Sequence, residues 1–523
     1  MEARPLVLAD LLTRIEARSE TFARSRSTEC SGSAFASSAR RLGRRLRAVG
    51  VQPGARVCAY LEHDVELAQF PFACAEAGAV AVIVNPRSKD AQVQHVVADS
   101  GASHVLTTAA KALTLADPRT AFGTARVLVD RGPVPAWAEA LGEGERDGVR
   151  DHDPDAPAIL LYTSGSTGRS KGIVQSQRSL CDGARIVAGY LALNQRDDLC
   201  AVLPLSFDYG LNQVLSAAFA RARVTLTDYL TAGDLLRSIA RSGCTGFAGV
   251  PEIFVDLVAA LDGGKVDPRS VQTLRYVTNS GGRLPERVIR ALHARLPWVQ
   301  VFSMYGLTEA FRSSFVPPEM LASRPRSVGR AIPEVELLVV DPASGREMPR
   351  SEIGELVHCG ACVARGYWNR PEDTARRFRP HPILGSAGGT CVFSGDLARM
   401  DGDGFVELVG RADEQIKVGG YRVSPDEVVD VVRRVSGVRS AAAVGVPHGP
   451  DGIPALAVAL VADDRATDAA TLCEAVRNEC RRVLPPWMVP GLLRVVAALP
   501  RGPNEKIDLA AVRALFASRD EVR

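Results

Sequence analysis

The stretch that most restricts what this chain can become is Tyr162-Thr-Ser-Gly-Ser-Thr-Gly-Arg-Ser-Lys-Gly-Ile-Val174. It follows the apolar run Ala158-Ile-Leu-Leu161, which reads as a buried strand. Gly165, Gly168 and Gly172 let main-chain N–H groups turn inward and approach an anion closely. Thr163, Ser164, Ser166 and Thr167 add hydroxyl donors, and Lys171 adds a point charge. These are the parts of a polyphosphate grip. The spacing is not that of the P-loop, Gly-x-x-x-x-Gly-Lys-Ser/Thr, because Lys171 stands three residues after Gly168 and precedes a glycine. A Gly/Ser/Thr run alone describes a surface loop equally well, so the weight falls on what accompanies it.

The bulk properties narrow the partners. At 523 residues, two or more domains are expected. The 63 basic and 60 acidic side chains nearly balance, which gives no support to nucleic acid as the main partner. No apolar run approaches the length of a membrane span, and the N-terminus lacks a signal-peptide core, so a cytoplasmic protein is expected. The 11 cysteines are scattered and odd in number, which argues against a disulfide framework. Cys359-Gly-Ala-Cys362 has metal-ligand spacing, but no second pair stands nearby, and ordinary structural thiols are the expectation.

The glycine-rich string resembles the phosphate-loop signature of the AMP-forming adenylating enzymes, the family of acyl-CoA synthetases, adenylation domains of nonribosomal peptide synthetases, and luciferases. Further matches follow in family order from about residue 30 to 510. Met304-Tyr-Gly-Leu-Thr-Glu-Ala310 resembles the Tyr-Gly-x-Thr-Glu motif. Tyr305 offers a flat face to adenine, Thr308 a hydroxyl to the α-phosphate, and Glu309 a hard oxygen ligand to Mg²⁺. Asp396 resembles the ribose ligand, since a carboxylate accepts from both ribose hydroxyls, and Arg411 supports ribose or phosphate. Gly354-Glu-Leu-Val357 and Ala364-Arg-Gly-Tyr-Trp368 resemble a further motif, structural rather than catalytic.

The acid pocket is read from the same resemblance. Asp208 lies between Phe207 and Tyr209 in an apolar neighbourhood, where an unpaired carboxylate is expensive. It caps a helix starting near Leu211, or it holds a substrate α-ammonium as its counterpart does in peptide-synthetase adenylation domains. Tyr209 and the turn at Asn279 lie along the expected pocket. Arg312 binds a second substrate carboxylate, pairs with Glu252, or points away.

The resemblance implies an α/β fold: a large N-terminal domain, residues 1–412, with layered sheets and a distorted β-barrel, and a small mobile α+β lid, residues 413–523. Asp413 is the expected hinge, and Gly419-Gly420 leave room for a phosphopantetheine arm. Leu499-Pro-Arg-Gly-Pro-Asn-Glu-Lys-Ile-Asp508 resembles the closing motif and places the catalytic lysine at Lys506. Glu505 stands where the family usually has glycine, a departure that puts a carboxylate beside the lysine. The implied reaction uses Mg·ATP to adenylate a carboxylic acid, an amino acid by preference because of Asp208. The acyl group then passes to a phosphopantetheine thiol. The chain ends at Arg523, soon after the closing motif, so the thiol is expected on a separate carrier protein or on CoA. An acyl-CoA ligase for an aliphatic or aryl acid is the alternative, and an inactive ATP-binding scaffold the remote one.

Overall fold

The computed structural model describes residues 4–130, 139–140, 153–163, 170–264, 266–411, 416–418, 421–423, 425–448, 453–463, 468–484, 488–502 and 506–516. The chain packs as two compact units. The first is Met1–Leu337 with His358–Phe393, and the second is Leu338–Val357 with Ser394–Arg523. The chain passes from one to the other inside the strands Val335–Val340, Gly354–Gly360 and Gly385–Met400. Packing therefore interleaves the units along the sequence, whereas the expected division at 412/413 is contiguous. Asp413 and Gly419-Gly420 lie outside the described residues.

The first unit holds two mixed sheets. One has seven strands in the order Glu139–Ala140, Arg126–Val129, His104–Thr107, Arg56–Tyr60, Val80–Ile83, Pro157–Thr163 and Lys171–Ser176. All its pairs are parallel except the last. The parallel strands Arg56–Tyr60 and Val80–Ile83 are joined by the crossover helix Val65–Ala77, and Gly78, in the left-handed conformation at φ 70°, ends it. The second sheet has nine strands. Its middle runs Gln300–Tyr305, Tyr276–Asn279, Gly246–Gly249, Asp198–Ala201 and Arg223–Leu226, all parallel. One hydrophobic core contains residues of both sheets, such as Ile159 and Leu199, and of the helices Val65–Ala77, Gln177–Tyr190 and Asp208–Ala220.

The helix Gly32–Ala48 begins where Ser31 caps it by accepting from the Ala34 amide at 3.2 Å. Its Arg40 pairs with Glu16 at 2.7 Å, consistent with a solvated face.

In the second unit the strands Val438–His448, Ile453–Ala462 and Leu492–Val495 form one sheet. The helices Pro425–Val432 and Ala469–Val483 add Val428, Val432, Leu472 and Val476 to its core. Ile416–Val418 and Tyr421–Val423 pair antiparallel. Asp401–Gly404 forms a tight turn between two strands, with the Asp401 carboxylate accepting from the Phe405 amide at 2.9 Å.

The cysteines depart from expectation. Cys359 is bonded to Cys391, not paired in sequence with Cys362, which stays a buried thiol pushed up to about 12 by desolvation. Adjacent positions on neighbouring strands bring the two sulfurs together, a proximity that sequence spacing does not encode.

Candidate active site

The phosphate-loop candidate falls between two paired strands. The strands Pro157–Thr163 and Lys171–Ser176 are antiparallel, and Thr163 faces Lys171 in the register. Ser164, Gly165, Ser166, Thr167 and Gly168 lie outside the described residues. Gly172 is small for a steric reason: a Cβ there would stand 3.0 Å from the ring of Tyr162. The Tyr162 hydroxyl donates to Asp99 at 2.9 Å, and Asp99 also pairs with Arg370 at 2.9 Å. Burial and the Asp99 charge hold that hydroxyl well above its usual pKa.

Lys171 meets two residues that the motifs do not name. Its ammonium is 2.9 Å from Asp373 and 5.4 Å from the ring centroid of Tyr367. The hydrogen bond from Lys171 holds the Asp373 carboxyl below its ordinary pKa. Tyr367 in turn donates its hydroxyl to Glu309 at 2.6 Å. Burial, with the Glu309 charge beside it, pushes the Tyr367 pKa well up, so the phenol keeps its proton and acts as a donor. The candidate phosphate lysine and the candidate metal carboxylate thus flank one tyrosine. The segment carrying it docks on the Lys171 strand through Val174 N–H to Gly366 O at 2.9 Å and Trp368 N–H to Gly172 O at 2.8 Å. The Ala364 amide also donates to the Glu309 carbonyl at 2.8 Å. The motif at 364–368, expected to be structural, therefore also contacts a candidate site residue.

Tyr305 ends a parallel strand and Thr308–Ala310 is a turn beyond it. Asn279 ends the neighbouring strand, and the two ends are in register through Asn279 and Ser303. Carboxyl ends of parallel strands are where open α/β sheets bind ligands. Behind Tyr305 stands His358, buried, with ring centroids 5.6 Å apart. Neither His358 nitrogen has a partner among the described residues, and burial pushes its pKa down to about 3.

Asp208 is the first residue of the helix Asp208–Ala220, but its side chain makes no cap. The cap position belongs to Phe207, so the expected helix start near Leu211 moves back. The carboxylate instead accepts from Arg312 Nη1 at 3.0 Å and from the Thr308 hydroxyl at 3.3 Å. Both side chains of this ion pair are almost fully buried, at 3% and 5% exposure. Arg312 thus pairs with Asp208 rather than with Glu252. Its guanidinium lies 4.7 Å from the Tyr209 ring centroid and 5.3 Å from that of Phe311. Phe311 sits at φ 51°, unusual for a bulky residue, and a Cβ on Gly183 would collide with its ring. The Tyr209 hydroxyl is 2.6 Å from that of Thr278. Asn279 is buried, and its amide donates to Gly282 O at 2.9 Å.

In the second unit Asp396 and Arg411 face each other on antiparallel strands. The Asp396 amide donates to Ser394 Oγ at 3.0 Å. Lys506 is exposed, and its carbonyl accepts from Gly502 N–H at 2.8 Å. It precedes the short helix Leu509–Ala514, which Asp508 caps. Glu505 lies outside the described residues.

The family follows from comparison with known proteins. Residues 15–368 match the AMP-binding enzyme family, and residues 427–506 match the AMP-binding enzyme C-terminal domain. This chain is an AMP-binding enzyme. Two relatives are matched over nearly their whole length. A feruloyl-CoA synthase of Amycolatopsis sp. is 32% identical over 91% of this chain and 92% of its own. A sulfoacetate–CoA ligase of Cupriavidus necator is 30% identical over 91% and 90%. Gramicidin S synthase 2 of Aneurinibacillus migulanus is 27% identical over 91% of this AMP-binding enzyme, which spans only 10% of that relative's length. Among solved structures, ATP-bound MatB from Rhodopseudomonas palustris superposes with a TM-score of 0.82 at 26% identity, covering 97% of this chain and 99% of that one. The anthranilate CoA ligase AuaEII shares the fold, with a TM-score of 0.86 at 22% identity and coverage of 98% and 97%.

The side chains fit a magnesium ion carried by a nucleotide. Glu309 offers a hard oxygen already steadied by Tyr367, and phosphates and water complete such a shell. The one grouping of three metal-type ligands among the described residues is elsewhere, at Cys359, His381 and Cys391. There the sulfurs are bonded to each other, His381 Nε2 meets Glu336 at 2.9 Å, and His381 Nδ1 accepts from the Ile383 amide at 3.1 Å. No helix among the described residues is long and apolar enough to cross a membrane.

Proposed function

We propose that this AMP-binding enzyme is an acid–thiol ligase: it joins a carboxylic acid to AMP, releasing pyrophosphate, and passes the acyl group to a phosphopantetheine thiol. The observation that carries the reading is Tyr367, whose ring lies 5.4 Å from the Lys171 ammonium and whose hydroxyl donates to Glu309, so that a cation and a carboxylate meet on one side chain. A polyphosphate and its metal need such a pair. In this reading the loop Thr163–Lys171 holds the β- and γ-phosphates, and Tyr305 stacks on adenine. Thr308 donates to the α-phosphate, and Asp396 with Arg411 takes the ribose. Glu309 holds Mg²⁺, which neutralises phosphate charge. Lys506 lies between the substrate carboxylate and the α-phosphate, where charge develops. Removing such a donor costs on the order of 10²–10³ in rate. A hinge at Asp413, between a body of residues 1–412 and a lid of residues 413–523, and a thiol path past Gly419-Gly420 belong to the same proposal.

We assign CoA as the acceptor. Full-length likeness to two CoA ligases supports this, and so does the Asp208–Arg312 pair, which occupies the carboxylate that an α-ammonium would need. A second reading, an amino acid loaded on a carrier protein, is favoured by the placement of Asp208 at the head of a buried helix and by likeness to a gramicidin S synthase. ATP–pyrophosphate exchange against amino, fatty, aryl and dicarboxylic acids separates the two. Exchange with an amino acid, lost in Asp208→Ala, supports the carrier reading. Exchange only with acids lacking an amine, lost in Lys506→Ala, supports the CoA ligase, and thioester formation with CoA completes the test.

A further inference from the structure

We propose that the acid this enzyme activates carries a second oxyanion, a carboxylate or sulfonate, and that Arg312 grips it through its Nε/Nη2 edge. This rests on the ligase reading and goes further by naming the substrate class. Arg312 is 3% exposed. Its Nη1 is engaged by Asp208 and by the Phe311 carbonyl. Its Nε and Nη2 are buried with no partner among the described residues. A buried donor without an acceptor is a standing cost, and two on one guanidinium are uncommon.

The two idle donors are adjacent in a specific way. Nε–H and one Nη2–H point in the same direction and form the side-on fork that matches a planar oxyanion. This protein uses that fork elsewhere. Arg178 holds both oxygens of Asp155 at 2.8 and 2.7 Å through Nε and Nη2. Arg482 holds Glu479 in the same way at 2.8 and 2.6 Å. At Arg312 the fork is present, and no oxyanion among the described residues fills it.

The surroundings keep the fork available. The guanidinium carbon lies over the rings of Tyr209 and Phe311, which offer no acceptor of comparable strength. Asp208 neutralises the charge through the other nitrogen and fixes the plane. What is missing is an acceptor, not a cation, so an ammonium group leaves the defect in place while an oxyanion removes it.

Distance sets the spacing of the two acid groups. Thr308, the proposed α-phosphate contact, is 3.3 Å from one Asp208 oxygen, and Arg312 is 3.0 Å from the other. A single carboxylate thus bridges the Thr308 hydroxyl and the Arg312 guanidinium. The second oxyanion is therefore separated from the activated carboxylate by a short linker.

The test is ATP–pyrophosphate exchange by the unaltered enzyme with matched pairs: dicarboxylic or sulfonated acids of increasing linker length, each beside the monocarboxylic acid that lacks the second group. The expected result is a preference of at least about 100-fold in kcat/KM for a short diacid or sulfo-acid, since a site with buried polar donors rejects a ligand that leaves them unpaired. Arg312→Lys keeps the charge and loses the fork. It should raise KM for the favoured acid more than it lowers kcat and shrink the preference toward parity. Equal or better exchange with monocarboxylic or amino acids overturns the proposal and leaves the ligase reading standing. Absence of exchange with every acid overturns both.

Discussion

Tyr367→Phe is the sharpest probe of the proposed nucleotide site, because it deletes a single hydroxyl that rests on the carboxylate meant for the metal. The phenol donates to Glu309 at 2.6 Å. A hydrogen bond to an ionised group contributes about 1.5–3 kcal/mol. Outer-shell partners of metal ligands change metal affinity or activity by about 10–100-fold, and at about 1.4 kcal/mol per tenfold the two ranges coincide. Burial and the neighbouring carboxylate raise the phenol pKa, so the donor is protonated throughout the working pH range and the effect should not vary with pH. The assay is pyrophosphate exchange against Mg²⁺ concentration at saturating ATP and acid. The half-saturating Mg²⁺ should rise by about 10–100-fold, with the maximal rate largely recovered at high Mg²⁺. A half-saturation within about two-fold of the parent, or a rate loss that Mg²⁺ does not restore, would refute the view that Tyr367 steadies Glu309 for a metal.

Three further outcomes are expected. Asp208→Leu strands the buried Arg312 charge and should cost about 3–5 kcal/mol in denaturant unfolding; the Asp208→Leu/Arg312→Met double variant should recover most of it. His358 has a folded pKa of about 3 against an ordinary 6.5. Between those values the unfolded chain takes up a proton that the folded chain refuses, so stability falls with acid by up to about 1.4 kcal/mol per pH unit. His358→Phe should flatten that part of the pH profile of the unfolding midpoint. Non-reducing peptide mapping should recover the Cys359–Cys391 cross-link; because it closes a separation of 32 residues, replacing both cysteines by serine should cost about 3–4 kcal/mol by the chain-entropy estimate.

Local features were legible in the sequence because local physics writes them there. The buried strand before the glycine-rich stretch follows from its apolar run; the antiparallel strand that returns from Lys171 does not, because its pairing is set by the fold. The identity of Asp208 as a residue in need of a partner followed from its apolar surroundings. Which partner it takes did not, since Arg312 lies 104 positions away. Tyr367 lies 58 positions from Glu309, and no periodicity links a tyrosine in one motif to a carboxylate in another. Asp373 reads as an ordinary acidic residue in the first turn of the helix Pro371–Arg377, and only the fold sets it against Lys171. The Cys359–Cys391 bond was missed for the same reason, because the nearer cysteine in sequence is not the nearer one in space.

The docking of Gly366 and Trp368 onto the Lys171 strand has a consequence for biosynthesis. That strand closes one end of the seven-stranded sheet, and its outward main-chain groups at Gly172 and Val174 are satisfied by a segment made much later. At roughly 5–20 residues per second of synthesis, the ribosome leaves this edge bare for on the order of 10–40 seconds. An open edge is a template for pairing with other chains. The nascent polypeptide is therefore most vulnerable to intermolecular strand capture in that interval, and a premature stop before residue 366 would make the exposure permanent.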